Sequence, residues 1–236
     1  MTVDRLSWPD VRDYYTGVRP ATYLLALPEH GIIYVKNPKA GCSTVLAWLD
    51  RIHTGDWETP RTGNIHTSHH LPRIRDVGRG QVVRMLSGSA YRFSFVRDPL
   101  RRFESTYWDK FVHSREWGAR SRVKDGLRAD DDGVIGFEAF LDLVEQQDPL
   151  TEMDPHWRPQ HVNLLHPLVH YDRIGRLENF AADLELIRQE AGLPAAPLET
   201  RNVSKRPREG SVFDGRPDLV RRVQALYALD FELYGY

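Results

Sequence analysis

A short apolar segment followed by a turn and a helix constrains the fold of this chain more than any other feature. Residues 32–35 are Ile-Ile-Tyr-Val, a run that predicts a buried β-strand. Residues 38–41 are Pro-Lys-Ala-Gly, which predict a tight turn, and residues 43–49 predict a helix capped by Ser43 and Thr44. Such a unit points backbone N–H groups and the positive end of a helix dipole at one place. The segment therefore predicts a phosphate-binding site.

The charge balance restricts the partners that the whole chain can attract. The 236 residues carry a net charge of -1, with 28% charged and 41% hydrophobic residues. This balance is typical of a soluble globular protein and gives no overall attraction to nucleic acid or to an anionic membrane. A function that depends on cations must therefore be local. Only five of the basic residues are lysines, and two of them, Lys36 and Lys39, lie in or beside the predicted phosphate site.

The cysteine count and the lack of long apolar runs predict a cytoplasmic protein. Cys42 is the single cysteine, so no internal disulfide forms, which suits a reducing compartment. The first residues lack the apolar core of a signal peptide, and no run approaches about 18 apolar residues. Cys42 is also a candidate nucleophile, because a helix N-terminus lowers the pKa of a thiol. Its neighbours Gly41 and Ser43 favour an anion-binding loop instead.

Strands and helices alternate along the rest of the chain. Further strands are predicted over 91–96, 168–171 and 174–177. Helices are predicted over 100–112, 137–145, 179–190 and 217–229, with Asn179 as the cap of the third. This order predicts an α/β fold with a central, mainly parallel sheet flanked by helices, in a three-layer arrangement like that of P-loop NTPases. We expect one domain over 1–236, with an N-terminal extension over 1–30 that packs on the core and a flexible insertion over 114–134.

The order of residues in the turn argues against an ATP-binding loop. A Walker A loop is Gly-x-x-x-x-Gly-Lys followed by Ser or Thr. In this chain Lys39 precedes Gly41, and no second glycine stands at the required spacing. A kinase or NTPase is therefore the weaker alternative. An ordinary helix start after a strand is the simplest interpretation of the turn taken alone.

A second strand-to-helix junction supplies a second candidate phosphate site. Arg97 stands at the end of the predicted strand 91–96, and Pro99 suits the first turn of the next helix. Ser105 lies about two turns into that helix, on the face reached from the strand end. A guanidinium and a hydroxyl that converge bind a phosphate well. Two such sites fit a ligand with two separated phosphates, whereas a local pair between Arg97 and Asp98 is the common alternative.

Together, the two junctions resemble the motifs of a known enzyme family. The segments that carry the resemblance are 38–44, 95–107, 154–160, 171–179 and 202–205. They are similar to the sulfotransferases that use 3′-phosphoadenosine-5′-phosphosulfate (PAPS), and most similar to the carbohydrate branch of the Golgi type, sulfotransferase family 2. The resemblance spans residues 31–236. The Golgi members carry a membrane anchor, and none is evident in this sequence, so we expect a soluble, bacterial member.

The resemblance implies a reaction and a donor. Family members transfer a sulfuryl group from PAPS to a hydroxyl or an amine by in-line displacement, release PAP and require no metal. The resemblance implies that Lys39 bridges the leaving phosphate and the moving group, and that Arg97 and Ser105 hold the 3′-phosphate. The residues that it implies for the rest of the donor are Pro38, Lys39, Ala40, Gly41, Cys42, Ser43, Thr44, Asn202, Ser204 and Lys205.

A histidine cluster after the first helix contains the candidate bases. Histidine suits proton transfer near neutral pH, and related carbohydrate sulfotransferases keep a catalytic His or Glu in this region. We place His70 first, then His69, then His66. Their i, i+3, i+4 spacing also fits a metal site if the segment is helical. Surface loop histidines are the ordinary alternative.

The acceptor is expected to be a carbohydrate or a small molecule, such as a natural product, that carries a hydroxyl group. His156, Trp157 and Arg158 are candidate acceptor-binding residues, although Trp157 fits a core position equally well. We expect no nucleic-acid partner and no membrane span. The alternative from a different class is a non-catalytic protein that binds PAP or another nucleotide and lacks the base.

Overall fold

The fold is built on a four-stranded sheet. The structure is a computed structural model that describes residues 6–14, 22–61, 63–114, 133–198 and 210–236. The strands are β1 (Leu24–Leu27), β2 (Ile32–Val35), β3 (Tyr91–Val96) and β4 (Arg173–Arg176). They lie in the order β1-β2-β3-β4, with β1 antiparallel to β2 and the other neighbours parallel. The predicted α/β class, with a mainly parallel sheet flanked by helices, is confirmed.

Helices follow the strands in most of the connections. The described helices are α1 (Trp8–Tyr14), α2 (Cys42–Thr54), α3 (Ile65–Ser68), α4 (Ile74–Val77), α5 (Arg79–Arg84), α6 (Pro99–Tyr107), α7 (Phe137–Glu145), α8 (Gln160–Asn163), α9 (Phe180–Glu190), α10 (Pro217–Leu226) and α11 (Ala228–Tyr234). Single π-helical turns continue α5 over Met85–Ser89 and α6 over Trp108–His113. Short 3-10 helices cover Pro28–His30 and Leu177–Asn179.

One predicted strand is wrong. Residues 168–171 form a turn and an irregular segment. Leu165 has a φ of 54°, and its carbonyl accepts the N–H groups of Leu168 at 2.6 Å and Val169 at 3.1 Å. The chain therefore turns at this point, and its N–H groups are used locally instead of in the sheet. Val169 is still only 4% exposed, so packing alone accounts for the apolar pattern that predicted a strand.

The start of α2 corrects the predicted cap. The helix begins at Cys42, and Gly41 occupies the cap position with a φ of 82° and no side-chain capping bond. The carbonyl of Gly41 accepts the N–H of Thr44 at 3.0 Å. Ser43 and Thr44 thus lie inside the first helical turn, so the prediction that they cap α2 is wrong.

The starts of the later helices follow the sequence more closely. Asp98 caps α6, because its side chain accepts the N–H of Arg101 at 2.8 Å, and Pro99 fills the first helical position as predicted. Asn179 occupies the predicted cap position of α9 but makes no side-chain capping bond. The helix predicted over 217–229 is two helices, α10 and α11, which are separated at Tyr227.

The chain divides into two compact units. The first comprises Met1–Val96 and Gln160–Asn202, and the second comprises Arg97–Pro159 and Val203–Tyr236. The first unit contains the whole sheet, including β1, which lies in the predicted N-terminal extension. The expectation of a single domain stays a prediction. The predicted insertion over 114–134 falls mainly on residues 115–132, which lie outside the described residues.

Each unit has its own apolar core. In the first unit, buried side chains of β2, β3, α2 and α9 pack together, and the rings of Tyr34 and Phe93 stack with centroids 5.1 Å apart. In the second unit the core is aromatic, with Phe103 and Phe140 stacked at 4.8 Å between centroids and Trp157 beside them. Among the helices that the structure describes, none is long and apolar enough to cross a membrane.

Candidate functional site

A buried side-chain amide anchors the segment after β2. Asn37 is fully buried, and its Nδ2 donates to the carbonyl of Phe95 at 3.0 Å and to Oε1 of Gln160 at 2.9 Å. Its Oδ1 accepts Nδ2 of Asn163 at 3.2 Å. These bonds join the ends of β2 and β3 to α8 within the first unit. A buried amide with satisfied polar atoms is rigid, so the start of the predicted phosphate loop is fixed.

The turn after Asn37 ends at Gly41, a position where the backbone conformation and the close neighbours favour glycine. Lys39 has a φ of 68° and Gly41 a φ of 82°. A Cβ at Gly41 would lie 2.9 Å from the ring of Phe180 and 3.1 Å from the side chain of Leu177. The loop therefore backs closely onto the start of α9. A positive φ at Lys39 is unfavourable for a non-glycine residue, and such strain is concentrated at functional sites.

Helix α2 directs its N-terminus at this turn. It is 13 residues long, and the N–H groups of a first helical turn point out of the helix end. Together with the helix dipole, these groups form the arrangement that binds anions at strand–loop–helix junctions. The local geometry thus agrees with the anion-binding loop that the sequence predicts.

His66 contacts the helix start. It lies in α3, and its Nε2 is 2.9 Å from Oγ of Ser43 and 4.0 Å from Sγ of Cys42. The side chain of Asn64 caps α3 by accepting the N–H of His66 at 3.1 Å. The cap fixes the direction of α3, so the imidazole is held beside the loop.

Asp50 holds the segment that follows α3. It lies on α2 and is fully buried, and its Oδ2 accepts Nε of Arg61 at 2.6 Å while its Oδ1 accepts the backbone N–H of His70 at 2.5 Å. Nδ1 of His70 is 3.3 Å from the same carboxylate, but 66% of the His70 side chain is exposed. His70 therefore lies at the surface beside Asp50, and its contacts differ from those of His66.

His69 lies between these two histidines and has a distinctive environment. Its Nδ1 is buried and has no hydrogen-bond partner within the described part of the chain. Burial lowers the pKa of His69, the charge of Asp50 opposes this, and the charges of Lys36, Arg73 and His70 lower the pKa further. The imidazole is therefore neutral near pH 7, which is the form that accepts a proton.

His66, His69 and His70 would form a metal site with i, i+3, i+4 spacing only if all three lay on one face of a helix, and they do not. Helix α3 ends at Ser68, and His69 follows in extended conformation with φ -79° and ψ 157°. Over the described ranges, no group of three or more His, Cys, Asp or Glu side chains is arranged to hold a metal ion.

Burial determines the state of the single thiol. It raises the pKa of Cys42, and the nearby charges of Lys36 and Lys39 oppose this rise. The thiol is therefore protonated at neutral pH, and the thiolate that nucleophilic attack requires is disfavoured. This environment argues against the alternative in which Cys42 is a nucleophile.

The second predicted phosphate site lies in the second unit. Arg97 directly follows β3 in the chain and is partly buried. Ser105 is 1% exposed within α6. The helix that the sequence places after Arg97 is thus present, with Ser105 about two turns into it. That the two residues hold a phosphate stays a prediction.

The three predicted acceptor residues follow one another in the second unit. Nδ1 of His156 is 2.6 Å from Oδ1 of Asp154, and about a third of the His156 side chain is exposed. Trp157 is buried in the aromatic core, and Arg158 is 1% exposed and donates Nη2 to the carbonyl of Met153 at 2.7 Å. Trp157 thus occupies the core position that the sequence allowed. Contact of these three residues with an acceptor stays a prediction.

The remaining predicted donor residues, Asn202, Ser204 and Lys205, lie outside the described residues. Conversely, the sequence reasoning missed Asn37 and Asp50. Only a weak signal was present for both: Asn37 follows the apolar strand by two residues, and Asp50 follows the apolar run of α2 over residues 45–49. A fully buried polar residue needs a partner, and that partner is supplied by a distant part of the chain, from Gln160 for Asn37 and from Arg61 for Asp50.

We expect Asp50→Asn to lower the free energy of unfolding by about 2–3 kcal/mol, because the substitution leaves the Arg61 guanidinium without its buried counter-charge. Urea unfolding followed by circular dichroism measures the change. Asp56→Asn is the matched control, because Asp56 also contacts Arg61, at 3.0 Å, but 38% of its side chain is exposed. Equal losses for the two variants would contradict a special role for the buried carboxylate.

Comparison with known proteins agrees with the geometry of the loop. The sequence pattern of the family described as "Sulfotransferase family" matches residues 23–236. Carbohydrate sulfotransferase 14 of Mus musculus is 32% identical over 233 residues, which cover 91% of this chain and 60% of that protein. The Homo sapiens protein of the same name is 32% identical over 237 residues, with the same coverage. Carbohydrate sulfotransferase 11 of Mus musculus is 24% identical over 246 residues, covering 91% of this chain and 67% of that protein.

This chain spans about 60% of the length of the first two relatives. No solved structure is a significant match. The family pattern nevertheless extends over almost the entire chain and includes both strand-to-helix junctions. This protein therefore belongs to the sulfotransferase family.

Proposed function

We propose that this protein transfers a sulfuryl group from PAPS to a hydroxyl group of a carbohydrate. The observation that carries the proposal is the loop after β2. This loop brings together Lys39, which has a positive φ, the N-terminus of α2 and the Ser43 hydroxyl. His66 of α3 lies 2.9 Å from that hydroxyl. A cation, helix N–H groups and a hydroxyl all favour an anionic ligand. These residues therefore fit the phosphate and sulfonate groups of PAPS.

The protein contributes positioning and charge stabilisation. When bound, PAPS supplies the sulfur centre that reacts and a phosphate that leaves with the electrons of the broken S–O bond. Lys39 stabilises the negative charge on the leaving oxygen, as cations do in phosphoryl transfer. Ser43, Thr44 and the first N–H groups of α2 hold the 5′-phosphate. Pro38 and Gly41 shape the turn that brings these groups together.

The other donor contacts rest on the resemblance of motifs. Arg97 and Ser105 hold the 3′-phosphate, which distinguishes PAPS from a donor that lacks this group. Asn202, Ser204 and Lys205 contribute to donor binding from the late basic segment. The acceptor class is supported by the names of the relatives, carbohydrate sulfotransferases 14 and 11.

A histidine beside the loop takes the proton from the acceptor hydroxyl as the new O–S bond forms. The sequence places His70 first, but His70 is mostly exposed and its backbone N–H is bonded to Asp50. Nε2 of His66 is 2.9 Å from the Ser43 hydroxyl, which the proposal places at the donor phosphate. We place His66 first as the base, with the neutral His69 second.

Lys39→Ala should lower kcat by roughly 10²–10³-fold, because the variant loses a cation that acts mainly in the transition state. PAP binding, measured by calorimetry, should change far less. Lys110→Ala, which removes a lysine paired with Asp109 at 3.3 Å in the second unit, is the control. A wild-type protein that binds PAP and sulfates no carbohydrate acceptor would favour the non-catalytic nucleotide-binding alternative.

Arg97→Ala should weaken PAP binding by roughly 2–4 kcal/mol, because a charge-assisted contact to the 3′-phosphate is lost. The affinity for AMP, which lacks that phosphate, should stay at the wild-type value. Arg101→Ala, which replaces an exposed arginine of α6, should leave both affinities unchanged. Normal PAP binding by Arg97→Ala would show that the 3′-phosphate site lies elsewhere.

His66→Ala should lower kcat by about 10²–10⁴-fold, the usual contribution of a general base, and should spare PAP binding. His69→Ala and His70→Ala, assayed in parallel, test the other two candidates. His53→Ala is the control, because His53 pairs with Glu29 on the surface of the same unit. A larger loss in His69→Ala or His70→Ala than in His66→Ala would move the role of base to that residue.

A further inference from the structure

Lys36 is a buried cation whose role is not explained by the contacts of the fold. It is the first residue after β2 and is 9% exposed. Its backbone N–H donates to the carbonyl of Tyr23 at 2.7 Å, and its Nζ lies 5.0 Å from the centroid of the Tyr23 ring. Within the described part of the chain, the ammonium has no carboxylate partner and no hydrogen-bond acceptor.

A buried ammonium without an anion is energetically unfavourable. Burial removes water from the charge, and the attraction of one aromatic ring replaces only part of that hydration. Burial accordingly lowers the pKa of Lys36. A methionine would fill the same space without this cost, so the position of the charge points to an anion that arrives with a ligand.

Lys36 lies between the end of β2 and Asn37, the residue that anchors the loop, and its charge affects two neighbours. Burial raises the pKa of the Cys42 thiol, and the charge of Lys36 opposes that rise more strongly than the charge of Lys39 does. Lys36 also lowers the pKa of His69, in addition to the larger effect of burial. The ammonium therefore acts on the first residue of α2 and on the histidine segment at the same time.

We propose that Lys36 is a second anion-binding lysine of the loop, whose ammonium contacts an oxyanion at the 5′ end of the nucleotide donor. This inference rests on the proposed function. The two lysines then have different properties. Lys36 is buried and held against Tyr23, so its charge is fixed before the donor binds, whereas Lys39 is more exposed. A fixed cation in a site that excludes water stabilises charge more strongly than a mobile one.

Lys36→Met tests the proposal, because methionine keeps the unbranched side chain up to the ε position and removes the charge. Calorimetry with 5′-AMP, 3′-AMP and PAP measures binding without turnover. We expect the Kd of 5′-AMP and PAP to rise by roughly 10- to 100-fold, the effect of losing one charge-assisted contact. The Kd of 3′-AMP should stay at the wild-type value. Lys36→Arg should restore most of the lost affinity.

Two control variants separate ligand binding from packing. Arg79 is another cation of the first unit, and its guanidinium lies 5.6 Å from the centroid of the Trp8 ring. Arg79→Met changes the net charge of the protein by the same amount as Lys36→Met. Because Arg79 is not part of the loop, this variant should leave all three affinities unchanged. Tyr23→Leu removes the ring and keeps the ammonium, and should retain most of the 5′-AMP affinity. The melting temperature of Lys36→Met should equal or exceed that of the wild type, because an unpaired buried charge is removed.

Several results would overturn the inference. The first is wild-type affinity of Lys36→Met for 5′-AMP. The second is an equal loss for 5′-AMP and 3′-AMP together with a lower melting temperature, which would indicate a structural role. The third is a higher KM for the acceptor with unchanged nucleotide affinities, which would assign the ammonium to the acceptor. A wild-type protein that binds none of the three nucleotides would overturn the proposed function as well, so the two failures are distinguishable.

Discussion

The amide of Asn37 is the constraint on which the geometry of the loop depends. Three side-chain hydrogen bonds connect it to β3 and to α8, and all of its partners are buried. Because a broken bond here would leave a polar group unsatisfied in the core, the loop has little freedom to shift. The left-handed conformation of Lys39 and the close packing of Gly41 on Phe180 come directly after this fixed start.

The charged residues described around the loop favour an anionic ligand. Lys36 and Lys39 lie on the loop, and the nearby Asp50 is fully buried and neutralised by Arg61. The same carboxylate binds the backbone of His70, so one ion pair both removes a repulsive charge and fixes the histidine segment. Burial lowers the pKa of His69, so this imidazole is neutral near pH 7 and the lysines supply the positive charge.

Local sequence patterns predicted much of the fold and part of the site. The strands over 32–35 and 91–96, the helix after Pro99 and the turn between β2 and α2 were all visible, because each depends on residues close together in the chain. The strand over 168–171 was wrong, since an apolar pattern shows burial but does not reveal a turn such as that at Leu165. The cap of α2 was also misplaced, because glycine and serine both suit helix starts.

By itself, the sequence determined the α/β class, the strand–turn–helix unit at 32–49, the lysine ahead of Gly41 and the motifs typical of sulfotransferases. These features are local, so periodicity and turn chemistry suffice to read them. Tertiary structure decided which histidine contacts Ser43, how Asp50 pairs with Arg61, and that Lys36 is buried against Tyr23. Those contacts join residues that are distant in sequence, and their energies depend on burial, which a linear pattern does not specify.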